Sequence, residues 1–185
     1  MNTVNPFNIL AISGSLREKS LNSALLRTVI SMIPSQGTVV YYSEMAQLPH
    51  FNPDLDSDGA DSAVAHWRRL LKEANGVLIC TPEYAKGVPG SLKNALDWVV
   101  SSGEFVNKPV AVISASPHPD GGATAHNSLL GTLSMMSASV VKEGTLIVPL
   151  INKKVNSNEE IIDKELRLNI ENLLNALFQK SITML

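Results

Sequence analysis

Three short segments of this chain concentrate residue types that could hold a small polar ligand. The first is Ser13-Gly14-Ser15-Leu16-Arg17-Glu18-Lys19-Ser20-Leu21-Asn22. Gly14 permits a tight turn and leaves backbone N–H groups free to face an anion. Ser15 and Ser20 add hydroxyl donors, and Arg17 adds a planar fork suited to phosphate oxygens. A helix starting at Leu21 would add its positive dipole end. These features converge on a phosphate. The segment carries neither the Walker A spacing nor Gly-x-Gly-x-x-Gly, so a mononucleotide phosphate suits it better than a dinucleotide pyrophosphate. The competing reading is a capped helix start with a solvated arginine.

The second segment, Thr81-Pro82-Glu83-Tyr84-Ala85-Lys86-Gly87-Val88-Pro89-Gly90, is stiffened by its prolines and opened to close approach by its glycines. Its backbone could grip the edge of a planar heterocycle, with Tyr84 offering aromatic surface. It could also be a rigid loop that simply starts a helix, with Pro89 near the first position. The third segment, Ser114-Ala115-Ser116-Pro117-His118-Pro119-Asp120-Gly121-Gly122, has small residues against which a flat ring could lie. His118, between two prolines, reads as an exposed loop residue rather than a proton donor.

The elements that must position these segments follow from the apolar pattern. Strands are expected over 7–13, 38–42, 77–80 and 110–114, and over 139–141 with a resumption at 146–148. Helices are expected over 21–33, from a cap at Asp61 or Ser62 to a stop at Asn75-Gly76, and over 91–100, 123–136 and 159–179. Pro34-Ser35-Gln36-Gly37 breaks the first helix, and the polar stretch 47–59 reads as a surface loop. Five βα units in succession predict an α/β fold with a five-stranded parallel sheet, helices on both faces, in one domain over 1–185. Continuous apolar strands agree with burial on both sides. Such sheets bind ligands outside the carboxyl ends of their strands, and all three segments are strand-to-helix connections.

Composition supplies the exclusions. With 15 basic and 17 acidic residues the net charge is −2, so no basic footprint for nucleic acid and no polybasic membrane signal is present. A single cysteine, Cys80, excludes an internal disulfide framework, and its place at the end of an apolar strand marks it as a buried structural thiol. His50, His66, His118 and His126 show no metal-site spacing. The start lacks a signal-peptide pattern, and no apolar run approaches about 18 residues, so the expected location is the cytoplasm, with no membrane partner.

The chain resembles the NAD(P)H-dependent FMN reductases. The likeness rests on Ile12-Ser13-Gly14-Ser15-Leu16-Arg17 with Ser20 and Asn22, and on Thr81-Pro82-Glu83-Tyr84 continuing to Val88-Pro89-Gly90-Ser91-Leu92-Lys93-Asn94-Ala95-Leu96-Asp97-Trp98. It runs from about residue 8 to 150. The resemblance implies a flavodoxin-like three-layer sandwich that binds FMN and takes electrons from NADPH or NADH. It implies that Ser15, Arg17, Ser20 and Asn22, with Leu21 among them, hold the FMN phosphate. Pro82, Glu83 and Tyr84 would line the isoalloxazine, Ser116 would approach it, and Gly121-Gly122 matches the paired glycines of the family. A homodimer or homotetramer is implied, with residues 89–98 between subunits.

Two of the loops depart from the family pattern. Ala85 replaces an asparagine common in the family, leaving only backbone for the flavin edge. Lys86 replaces an aromatic residue and is expected to attract the anionic nicotinamide cofactor or an anionic acceptor. Thr124 and Ala125 stand where many relatives have a basic or aromatic residue. The implied reaction takes a hydride from NAD(P)H onto FMN and passes electrons to a flavin, quinone or similar small acceptor, with no catalytic side chain required. The alternatives are a flavodoxin-type carrier, against which the near-neutral charge speaks, and a phosphate-binding hydrolase or transferase, for which no nucleophile–base pair is visible.

Overall fold

β1 (Phe7–Ser13) sends Phe7, Ile9 and Ala11 to one face and Leu10 and Ile12 to the other, and all five are buried. A strand with this pattern needs cover on both sides, and the computed structural model supplies it. The structure describes residues 7–33, 37–56 and 62–183. After β1 come α1 (Leu21–Ser31), β2 (Gly37–Tyr42), α2 (Ser62–Glu73), β3 (Gly76–Thr81), α3 (Gly90–Asp97), β4 (Pro109–Ser116), α4 (Ala123–Met135), β5 (Ser139–Pro149) and α5 (Lys164–Ile182). The strands form one parallel sheet in the order β2-β1-β3-β4-β5. The expected α/β sandwich is the observed one, and its order reverses between β1 and β3.

Two apolar layers flank the sheet. Leu25, Leu26 and Val29 of α1, with Leu166, Ile170, Leu173 and Leu177 of α5, cover one face. Trp67 and Leu71 of α2, Leu92 and Leu96 of α3, and Leu129 and Leu133 of α4 cover the other. Each such side chain contributes about 1.5–3 kcal/mol by leaving water. Trp67 satisfies its indole N–H on the Ala95 carbonyl at 2.8 Å, which locks α2 to α3.

Several boundaries differ from the sequence expectation. α2 ends at Glu73, just before the expected stop, but Gly76 itself opens β3, and a Cβ on it would lie 2.7 Å from Ser181 Oγ on α5. Asn75 turns the chain by exchanging hydrogen bonds with Asn8, 2.8 Å in each direction. β4 runs on through Ser116, paired with β5 as far as Pro149. β5 is one strand, not two, since a register shift opposite Val110 and Val112 absorbs the polar Lys142-Glu143-Gly144 without ending it. α3 stops at Asp97. α5 starts at Lys164, where Asp163 accepts the Leu166 N–H at 2.7 Å, and not at Glu159, which sits in left-handed backbone at φ 64°. The polar stretch after β2 contains two 3-10 turns, Met45–Gln47 and Pro53–Leu55. The proposed cap Asp61 and the break at Pro34-Ser35-Gln36 lie outside the described residues.

Candidate functional site

The three singled-out segments meet at the carboxyl ends of β1, β3 and β4. Gly14 leaves β1 pressed against β3: its N–H donates to the Cys80 carbonyl at 2.8 Å, and a Cβ would lie 2.4 Å from Thr81 Oγ1. Only glycine fits there. Ser20 caps α1, its hydroxyl accepting the Ser23 N–H at 3.3 Å, and the first helical bond runs from Ala24 N–H to the Ser20 carbonyl. The N–H groups of Leu21 and Asn22 come before that bond and remain available to an anion. Ser15 is buried, and its Oγ accepts the Arg17 N–H and lies 3.3 Å from the Tyr84 hydroxyl. The Arg17 side chain is exposed and makes no ion pair among the described residues.

The second segment closes on itself. Tyr84 and Gly87 exchange both backbone hydrogen bonds, 3.0 and 2.9 Å, around Ala85 and Lys86 at φ 48° and 62°. This is a two-residue turn of the kind that favours Asn and Gly. It stands Tyr84 up from the loop with 44% of its surface exposed. Pro82 beneath it is buried, whereas Ala85 and Lys86 are exposed.

The third segment is tied to the second. Glu83 accepts the Ala125 N–H of α4 at 3.0 Å, and that bond holds its carboxyl below the ordinary carboxylate range. Lys86 Nζ reaches Asp120 at 3.1 Å and Glu83 at 3.3 Å. Asp120 also accepts the Gly122 N–H, and its carboxyl is held low by Lys86 first. Gly121 and Gly122 both have positive φ, and a Cβ on Gly121 would strike Ile147 at 2.5 Å. Ser116 is buried at the end of β4, accepting the His118 N–H at 3.1 Å, and His118 itself is exposed.

Two residues behave differently from expectation. Asn22 spends its side chain inside the fold, donating to the Ala115 carbonyl at 2.9 Å and accepting from the Cys80 thiol at 3.5 Å. What it offers a ligand is its backbone N–H. Lys86, expected to be free for an anion, is held between two carboxylates. Asp120 was the residue sequence reasoning missed, since nothing local marks a partner 34 positions from Lys86. Cys80 is fully buried, and burial pushes its thiol up.

A cavity of about 240 Å³ lies beside the first segment, lined by Ser15, Arg17, Tyr41 and Tyr42 among others. A larger one, about 750 Å³, lies between α1 and residues 158–162, away from the strand ends. Donor chemistry, not volume, marks the site.

A sequence profile described as NADPH-dependent FMN reductase matches residues 7–153 of the chain. The chain belongs to the NADPH-dependent FMN reductase family. Among relatives of this reductase family, an NAD(P)H-dependent FMN reductase of Pseudomonas aeruginosa is 32% identical over 171 residues, 91% of this chain and 92% of that one. A quinone reductase of Escherichia coli K12 is 31% identical over 160 residues, 84% of this chain and 85% of that one. The fold matches FerB, a flavoenzyme NAD(P)H:(acceptor) oxidoreductase of Paracoccus denitrificans, with a TM-score of 0.86 at 24% identity, over 96% of this chain and 98% of that one.

An FMN reductase needs an anion cradle beside a flat apolar surface, and the residues present fit that need. The first two helix N–H groups, the Ser15 hydroxyl and Arg17, which has no ion pair among the described residues, suit the phosphate. The exposed Tyr84 and the small residues at the end of β4 suit the ring. The chain is accordingly an FMN-dependent, NAD(P)H-using oxidoreductase. Among the described residues no helix is long and apolar enough to cross a membrane.

Proposed function

We propose that this oxidoreductase reduces small quinones with electrons from NAD(P)H, through FMN held by the three converging loops. The observation that carries the reading is the meeting of an open anion cradle with the exposed Tyr84 ring, joined by the 3.3 Å contact between the Ser15 and Tyr84 hydroxyls. The names of the quinone reductases of Escherichia coli and of a Burkholderia species, the latter 30% identical over 170 residues, support the acceptor class.

Bound FMN supplies two-electron exchange between nicotinamide and acceptor. The chain's own residues bind and orient. The N–H groups of Leu21 and Asn22, with Ser15, Arg17 and the Ser20 cap, would hold the phosphate; Pro82, Glu83, Tyr84 and the Ala85-Lys86 turn would line the ring. Ser116 would approach it as well, and Gly121 and Gly122, which have no side chains, would allow close approach. No side chain has to move a proton to or from carbon, in keeping with hydride chemistry. Overall, NAD(P)H and a solvent proton convert quinone to hydroquinone and leave NAD(P)+.

The same reading makes the chain one functional unit acting in the cytoplasm as a homodimer or homotetramer. Leu16, Phe51 and Tyr84 are exposed at this end of the sheet, and a second subunit would cover them. Light scattering on the purified protein tests the assembly. Anaerobic addition of NADPH to the FMN-loaded protein tests the activity: the yellow colour should bleach within seconds and return when quinone is added. A yellow protein that stays oxidised would instead be a carrier.

A further inference from the structure

We propose that the Glu83–Lys86–Asp120 cluster, one cation between two carboxylates, gives the mouth of the flavin site a net negative edge that selects uncharged quinones over anionic acceptors. The inference rests on the flavin-site reading and names the acceptor class for it. A lysine at this position suggests anion attraction when read from sequence. The geometry points the other way. Lys86 Nζ lies 3.1 Å from Asp120 and 3.3 Å from Glu83, so one cation faces two carboxylates.

Each carboxylate is anchored at its other oxygen. Glu83 Oε2 accepts the Ala125 N–H, and Asp120 Oδ1 accepts the Gly122 N–H, both at the start of α4. Neither acid can follow the lysine if it swings outward. The lysine has little freedom at its root, because the Tyr84–Gly87 turn is closed by two hydrogen bonds. All three groups are held in their charged forms: Asp120 raises the Lys86 ammonium, the Ala125 N–H and then Lys86 hold the Glu83 carboxyl low, and Lys86 holds Asp120 low.

An acceptor carrying a sulfonate must bring that charge up with the ring that meets the flavin. There it encounters the exposed Lys86 and Asp120, at 70% and 42% of their side-chain surface, above the largely buried Glu83 carboxylate, one positive and two negative charges in all. NAD(P)H is not penalised in the same way, because its charge lies on phosphates many bonds from the nicotinamide. Each turnover moves two electrons: NAD(P)H loses a hydride to become NAD(P)+, and the quinone gains that hydride and one solvent proton to become hydroquinone.

The experiment compares kcat/KM of the FMN-loaded enzyme for naphthoquinone and for naphthoquinone sulfonate, in wild type, Asp120→Asn and Lys86→Gln. Asp120→Asn keeps an acceptor for the Gly122 N–H and removes one negative charge. It should raise the sulfonate-to-neutral ratio roughly three- to tenfold at low salt. Lys86→Gln should lower that ratio. Both shifts should shrink towards one in about 1 M salt, where the screening length falls to about 3 Å. A purely structural role would move the two quinones together, leaving the ratio and its salt dependence unmoved, and that result overturns the inference alone. An FMN-loaded enzyme that reduces neither quinone overturns the quinone-reductase reading and this inference with it.

Discussion

Asn22 donates its side-chain amide to the Ala115 carbonyl over 2.9 Å, fastening the first turn of α1 to β4 across 93 residues of chain. The amide oxygen takes the Cys80 thiol, so one side chain links three elements behind the phosphate cradle. Asn22→Ala strands a buried carbonyl and should cost about 1–3 kcal/mol. Urea denaturation of the FMN-free protein measures this; a loss under about 0.5 kcal/mol would show that the link carries no stability.

Arg17 presents the opposite case. It is exposed and unpaired among the described residues, so Arg17→Ala should leave the stability of the FMN-free protein within about 0.5 kcal/mol of wild type. Its FMN affinity should drop by about 1.5–3 kcal/mol, roughly 10- to 150-fold, through loss of a charge-assisted bond. Titration calorimetry with FMN decides, and an unchanged Kd rejects the phosphate role.

Ala85 occupies left-handed backbone at φ 48° in a turn that prefers asparagine or glycine. Ala85→Asn should therefore stabilise the protein by about 0.5–1 kcal/mol and raise Tm by a few degrees. Thermal unfolding followed by circular dichroism is sufficient. A lower Tm would mean that the alanine methyl contributes packing that outweighs its backbone strain.

His126 is buried in α4, and its Nδ1 has no hydrogen-bond partner among the described residues. Burial disfavours the charged ring and lowers its pKa below the ordinary histidine value near 6.5. Below about pH 6.5 the unfolded chain then binds a proton that the folded one refuses, so stability falls as pH falls until the folded ring itself titrates. The slope for one proton is no steeper than about 1.4 kcal/mol per pH unit. His126→Gln should flatten the part of the stability curve between pH 7.5 and 5 that wild type shows; identical curves would place the effect in other groups.

Much of this architecture is written in local pattern. The apolar runs Ile9–Ile12 and 77–80 read as doubly buried strands because side chains on both faces are apolar, and the three loops stand out because they set Ser-Gly-Ser with Arg17, Pro-Glu-Tyr, and Gly-Gly directly after strands. What local pattern missed depends on contacts between distant segments. Gly76 looks like a helix stop until Ser181 is packed over it. Lys142-Glu143-Gly144 looks like a strand break until β4 pairs on both sides of the bulge. Lys86 looks free until Asp120 arrives from another loop. Glu159 looks like a helix start, yet its carboxylate is taken by Arg27 of α1 and its backbone turns left-handed.

The site residues named above all lie between Ser15 and Gly122, but a large share of one apolar layer comes from α5, through Leu166, Ile170, Leu173, Leu174 and Leu177. During synthesis, the loops that would hold FMN leave the ribosome before the helix that covers β3, β4 and β5 has been made. Since a domain of this kind folds as a unit, a nascent chain that has every binding residue still has no fixed pocket. Cofactor capture is thereby timed to the last helix, and a truncation before residue 164 should abolish it while deleting no binding residue.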